Sequence, residues 1–407
     1  MYCSGQEFIT RKSSLVVGGL FSNRTFSSFG PSNLSPTSEP PALQLIDGRR
    51  PSTLRGKVRN ECPRRPGVYG MVTARGELIY IGKAKCLRSR LLSYFRPRSR
   101  DPKAGRIVQH ARLLVWEYLP SEFAALLREL ELIRRWRPRF NVQGQPHRQR
   151  TYVCLGRQPA PYVFLTRRPS AGVLGCFGPV PAGGKAREAV RRLNDHFRLR
   201  DCPQAQEMVF ADQSELFPIL RAAGCLRHEI GTCLGPCAAA CSRRDYGRQL
   251  RLARAFLDGT DRSLLETLEH EMMATSEALA FERAAALRDQ LDVLRWLHER
   301  IDRLRRVRAQ QSFIYPVPGH EGQDVWYLIQ HGRVVTALPA PAGAAEMRRA
   351  VQHIRAVYRA RPACPSVVPL DEVDGVWLVA AWFRRHAAER QRILDPAAVL
   401  TACRRTV

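Results

Sequence analysis

A chain of 407 residues exceeds one average domain, so two to four compact units are expected, with apolar residues enough for sizeable cores. Lys and Arg outnumber Asp and Glu by 65 to 37, and the formal charge of +28 points to a polyanionic partner, nucleic acid first, unless it reflects an arginine-rich proteome. Twelve cysteines argue for reduced thiols and a metal site over a disulfide scaffold.

Residues 1–50, rich in Ser, Pro, Asn and Phe, show no periodicity and are expected to be disordered. Their LVVGGLF run is too short for a membrane span and is not followed by a cleavage site, so a cytoplasmic protein with no membrane contact is expected. Alternating apolar positions in Val68–Val72 and Leu78–Ile81, around Arg75-Gly76, predict a β-hairpin. A helix follows over about Leu87–Tyr94, then a basic loop with Pro97 and Pro102. Residues 104–114 read as helical, LLVWEYL as a strand, and Ser121 as the cap of a long helix that ends at Arg135, before Pro138. The stretch 147–200 mixes short strands, YVFLT among them, with loops. From Tyr246 to about Arg308 the pattern is helical with one break at Gly259, and DVWYLIQHGRVVTALPAP then predicts two strands around His331-Gly332. Helices around 343–360 and 373–388 finish an α+β chain without internal repeats.

An even-numbered hairpin loop would place Tyr69 and Tyr80 on one face, because side chains alternate with period two. Lys83 and Arg90 follow just beyond, a plausible pair for a phosphate. On the long helix Phe123, Leu126, Leu130 and Ile133 share a stripe facing a core, and Glu129 sits at its border, where a carboxylate can hold a divalent cation against a phosphate. Taken singly, these are ordinary packing tyrosines and a solvated glutamate.

Their order carries more. PGVYGM, YIGKAKCLRSRLLSYF and SEFAALLRELELIRRWRPRFNV resemble the GIY-YIG nuclease family, in the version found in the UvrC excinucleases. The resemblance implies a small antiparallel sheet flanked by helices. It also implies a site in which Tyr69 or Tyr80 activates water and Lys83 and Arg90 orient the scissile phosphate with Tyr94 in support. Glu129 would bind Mg²⁺ or Mn²⁺, and Asn141 would brace the site. Val68 stands where Ile is usual; Phe140 replaces a common Tyr, and any hydroxyl role there is lost.

CLRHEIGTCLGPCAAAC brings four cysteines together, with Cys202 upstream in FRLRDC, and such spacing favours a metal over a set of buried small residues. The resemblance continues here and implies Cys202, Cys225, Cys233 and Cys237 as ligands of an iron-sulfur cluster, with zinc the alternative and Cys241 outside the set. Apolar residues on both sides of Ala280-Phe281-Glu282 predict a helical hairpin. AFERAAALRDQL resembles the UVR motif, which implies UvrB as partner through Phe281, Glu282, Arg288 and Asp289, with Phe281 the exposed anchor.

The expected division is thus 1–50 disordered, 51–146 nuclease, 147–245 connecting region with the cysteines, 246–308 helical with the UVR motif, and 309–407 an α+β region without assigned role. The last segment is too short for the RNase H-like and helix-hairpin-helix domains of a full-length UvrC, and Asp371, Glu372 and Asp374 read as a solvated turn. The function implied is a metal-dependent endonuclease of nucleotide excision repair, cutting 3′ of a lesion in damaged double-stranded DNA held by UvrB, with no small-molecule substrate. A UvrB-independent structure-specific nuclease and a non-catalytic adaptor for UvrB and DNA are the alternatives.

Overall fold

The computed structural model describes residues 29–32, 34, 43–96, 103–141, 150–170, 172–203, 205–213, 225–359 and 367–405. In chain order the elements are β1 (Gln44–Asp47), α1 (Pro51–Glu61), β2 (Gly67–Val72), β3 (Leu78–Ala84), α2 (Leu87–Tyr94), α3 (Ala104–His110), β4 (Leu113–Tyr118) and α4 (Glu122–Trp136). Then come β5 (Arg150–Gly156), β6 (Tyr162–Thr166), β7 (Val173–Pro181), α5 (Gly184–His196), α6 (Arg243–Asp258), α7 (Ser263–Glu277) and α8 (Phe281–Gln310). Strands β8 (Phe313–Val317), β9 (Val325–Gln330) and β10 (Arg333–Pro339) precede α9 (Ala344–Arg359), α10 (Val373–Arg385) and α11 (Pro396–Arg405). Two compact units result: Met1–Pro146 with Arg308–Pro362 and Asp374–Val407, and His147–Val307 with Ala363–Val373.

The first unit is built on an antiparallel sheet of order β1-β4-β2-β3. Its central strand, GVYGMV, is buried at every residue because both faces are covered. On one face Tyr69, Met71 and Ile79 pack with Leu54, Val58, Leu87, Leu91 and Ile107 from α1, α2 and α3. On the other, Val68, Val72, Ile81 and Val115 meet Ala125, Leu132 and Ile133 of α4, with Phe29 wedged among them. Helix α4 starts where the Ser121 hydroxyl accepts the Ala124 N–H at 3.1 Å, and stops at Arg137 in left-handed conformation, φ 47°. Its second flank, Phe123, Ala124 and Leu127, is buried against the β8–β9–β10 meander and the Val379, Trp382 and Phe383 side chains of α10. The meander's opposite face is closed by Ile354 of α9, with Leu394, Val399 and Leu400.

Several expectations change here. Residues 1–50 are not without structure throughout: Phe29 is fully buried and β1 adds an edge strand to β4. Residues 309–407 are not a separate region but part of the first unit, and they hold a third strand, β8. Helix α3 ends at His110 instead of 114, because Leu113 already pairs with Val72 in the sheet. Leu126 and Leu130 are only half-buried, since α4 is covered on two flanks and not along one stripe.

The second unit has a sheet of order β6-β5-β7, with Ala186, Ala189, Val190 and Leu193 of α5 in its core alongside residues of α6, α7 and α8. Helix α6 is capped by Ser242, whose hydroxyl accepts the Asp245 N–H at 3.0 Å, and ends at Gly259 with φ 69°, the predicted break. Among the described residues no helix is long and apolar enough to cross a membrane.

Candidate active site

Strand β3 is the open edge of the first sheet, and the site forms around that edge. Tyr69 lies opposite Gly82 and Met71 opposite Tyr80, so the two tyrosines are diagonal neighbours on one face, as the pattern required. Lys83 pairs with Val68 and faces the other side, toward α4. The two sets converge beyond the edge on an open cavity of about 510 Å³ lined by Tyr69, Tyr80, Lys83, Arg90 and Glu129, with Lys85 at its rim.

Three aromatic rings, Tyr69, Tyr80 and Tyr94, pack with centroids 5.9 to 6.2 Å apart. The Tyr69 and Tyr94 hydroxyls are hydrogen-bonded at 2.8 Å, and Arg90 donates to both, through Nε to Tyr69 and Nη2 to Tyr94, each at 3.2 Å. Helix α2 therefore fixes the guanidinium over the tyrosine cluster. A side chain at Gly82 is impossible without moving Tyr69, whose hydroxyl would lie 2.4 Å from a Cβ there. Burial holds the phenols of Tyr69 and Tyr94 well above their ordinary value of 10.0. Tyr80 is only half-buried.

Glu129 reaches the cavity from α4. Its Oε1 accepts the Lys83 backbone N–H at 3.0 Å, which aims the carboxylate along the strand edge. Burial lifts its pKa above the ordinary 4.5, against the opposing pull of that N–H and of the Lys83 and Arg90 cations. The Lys83 ammonium donates to Glu122, 2.6 Å away, a residue not singled out from sequence. The signal was available: Glu122 and Glu129 are seven apart, two helical turns on one face. Asn141 brackets the edge strand, accepting from the Ile81 N–H at 2.9 Å and donating to the Ile81 carbonyl at 2.7 Å. Five of the seven residues singled out in this region line one cavity; Tyr94 is bonded to two of them, and Asn141 to the backbone of Ile81.

In the second unit Cys202, Cys225, Cys233 and Cys237 line a single cavity of about 260 Å³ together with Arg200 and Arg227, and Cys241 does not. Among the described residues, however, no three His, Cys, Asp or Glu side chains converge closely enough to hold one ion. Burial raises the Cys233 and Cys237 thiols above their ordinary 9.0. At the α7–α8 turn Leu279 adopts φ 57°, and Phe281 is 63% exposed beside a shallow groove with Met272, Met273 and Ala284. Glu282, Arg288 and Asp289 are exposed on the same helix, the last two joined by an ion pair of 2.8 Å.

Family models match along most of this architecture: a UvrC-like GIY-YIG domain over residues 65–142, a UvrC/Cho excinuclease middle domain over 151–256 and a UvrB/UvrC motif over 262–295. The UvrABC system protein C of Saccharophagus degradans is 36% identical over 261 residues, 64% of this chain and 39% of that protein. That of Alcanivorax borkumensis is 34% identical over 240 residues, 59% of this chain and 38% of that protein. The chain thus spans about two-fifths of the length of these curated relatives. The solved GIY-YIG N-terminal endonuclease domain of Thermotoga maritima UvrC, bound to magnesium, is 39% identical and covers 22% of this chain and 97% of its own, with a TM-score of 0.21. With the three domain types in this order, the chain is a UvrC-like protein.

Proposed function

We propose that this chain is a metal-dependent DNA endonuclease of nucleotide excision repair that hydrolyses a phosphodiester 3′ of a lesion on UvrB-bound duplex, in the cytoplasm. The observation that carries the reading is the convergence of Tyr80, Lys83, Arg90 and Glu129 on one cavity at an open strand edge. Two cations lining one cavity suit a phosphate, and the planar Arg90 fork can take two of its oxygens. Lys83 has three N–H donors, so its bond to Glu122 leaves donors for the substrate. A lone carboxylate fits Mg²⁺, which keeps several waters and is commonly held by one or two carboxylates plus the substrate's own phosphate. When bound, the cation supplies charge stabilisation at the phosphoryl oxygens and makes an attacking water more acidic. Tyr80 is the tyrosine we assign to orienting that water, since Tyr69 is fully buried, bonded to Tyr94 and held protonated. Tyr69 and Tyr94 then serve to hold Arg90.

The cysteine cavity is assigned to a metal–thiolate centre, an iron-sulfur cluster before zinc. Four soft sulfur donors lining one cavity suit either. The exposed Phe281 and its groove support recruitment through UvrB, an apolar anchor rimmed by Glu277 and by Arg288, which is ion-paired to Asp289.

The test is incision of an end-labelled duplex with one bulky adduct, with UvrB and Mg²⁺, by wild type, Glu129→Gln and Phe281→Ala. A single cut 3′ of the adduct, abolished in the first variant and restored toward wild type by high UvrB concentration in the second, is expected. UvrB-dependent binding without a cut would make the chain an adaptor, and a cut indifferent to UvrB would make it a free-standing nuclease.

A further inference from the structure

Arg200 is the largest of the fully buried side chains, 1% exposed, yet no carboxylate among the described residues pairs with it. Its Nη2 donates to the Cys202 and Pro203 carbonyls at 3.0 and 3.1 Å, and its guanidinium lies 4.9 Å from the Tyr162 ring centroid. Its Nε and Nη1, both buried, donate to nothing. The contrast with Arg227, on the same cavity, is sharp: that guanidinium is ion-paired to Asp195 at 2.9 Å and also to Asp201. A buried cation with two nitrogens, and so three N–H groups, left without an acceptor is strongly unfavourable unless an anion stands beside it. The space beside Arg200 is the cavity lined by Cys202, Cys225, Cys233 and Cys237. Four neutral thiols would not balance the charge. Four thiolates around a metal core carry net negative charge, and their sulfurs, with any bridging sulfides, accept N–H bonds.

We propose that Arg200 is the built-in counter-cation of an anionic metal–thiolate centre in this cavity, its unpartnered Nε and Nη1 donating to sulfur. The inference rests on the metal reading of the four cysteines and adds to it a positioning residue that is not a ligand. Two consequences separate it from a packing role. Removing the cation should weaken retention of the metal, and in an iron-sulfur centre it should lower the reduction potential, because a neighbouring positive charge favours the more negative, reduced core.

The experiment uses the full chain loaded anaerobically with iron and sulfide, as wild type, Arg200→Lys, Arg200→Met and Cys225→Ser. Iron, sulfide and zinc per chain, the visible absorption band, loss of metal to a chelator and the reduction potential are measured, with thermal melting before and after stripping. Wild type is expected to hold metal and Cys225→Ser to lose it. Arg200→Met is expected to lose metal roughly tenfold faster or more, with Arg200→Lys between them, and to melt lower by a greater margin when loaded than when stripped. Zinc in place of iron is scored by the same retention and melting comparisons. Equal retention, potential and melting loss in both states would overturn the role of Arg200 while leaving the metal centre standing. A wild type that takes up no more metal than Cys225→Ser would overturn both. Should Arg200→Met fail to fold, Arg200→Lys decides alone: it keeps the charge but cannot present the fork, and wild-type retention and potential in that variant count against the directed N–H bonds.

Discussion

Glu129 illustrates how one side chain's surroundings set the conditions under which the site works. Its carboxyl is lifted above 4.5 chiefly by burial, and only partly brought back by the Lys83 N–H and the nearby cations. A cation can be held only by the ionised form, so metal binding competes with a proton that this glutamate keeps to higher pH than an exposed one. The sign follows: as pH falls, affinity for Mn²⁺ or Mg²⁺ begins to drop before an ordinary carboxylate would protonate, and raising pH through the shifted value restores it. Titrating Mn²⁺ against the protein at a series of pH values should give a midpoint above 4.5, and Glu129→Gln should bind weakly at every pH. A midpoint at or below that of a free glutamate would mean that burial does not set this carboxylate's hold on its proton, and undiminished binding by Glu129→Gln would mean that it is not the metal's ligand.

At the scale of elements, α4 is the member on which the rest depends. One flank packs on the first sheet and the other on the carboxy-terminal meander, while the same helix presents Glu122 and Glu129 to Lys83. Phe123 is fully buried and edge-on to Tyr315 and Tyr327, with centroids 5.2 and 4.9 Å away. Phe123→Ala is therefore expected to destabilise the first unit by about 3–5 kcal/mol, read as a lowered urea midpoint. A change under about 1 kcal/mol would mean that the meander is not a true part of this core. The same helix marks the limit of what sequence could yield. The hairpin, the Ser121 cap and the joint order of Tyr69, Tyr80, Lys83, Arg90 and Glu129 were legible because alternation, capping and short-range spacing are local. The second buried flank of α4 was not, because its partners lie some two hundred residues away and a helix covered on two sides looks like one with a ragged stripe. Phe29 was missed for a related reason. The aromatics of that Ser- and Pro-rich stretch follow no period, and only the fold reveals that the Phe29 N–H reaches the buried Glu117, itself paired with Arg128 at 2.9 Å. Asn141 needed the resemblance to be singled out, whereas Asn194, which brackets Val163 on edge strand β6 with bonds of 3.0 and 2.8 Å, repeats the device unannounced.

For the molecule as a whole, the charge of +28 has two explanations, and they respond differently to substitution. If the cations are a general compositional excess, each contributes a small, diffuse share to DNA binding, and position is immaterial. If the cavity at the edge of β3 is the point of contact, cations at its rim neutralise phosphates directly and release counterions one for one. Lys85 is exposed at that rim, while Arg348 is exposed on α9 and does not line the cavity. Affinity for undamaged duplex should fall linearly on a plot of log K against log salt, with a slope of about −0.9 for each phosphate contacted. Lys85→Gln should make that slope shallower by about one unit and weaken binding across sequences, with Arg348→Gln close to wild type. Equal effects from the two variants would assign the basic character to composition and leave the cavity without an electrostatic claim on DNA. An unequal effect would locate the polyanion at the edge of β3, where Arg90 and Glu129 already converge.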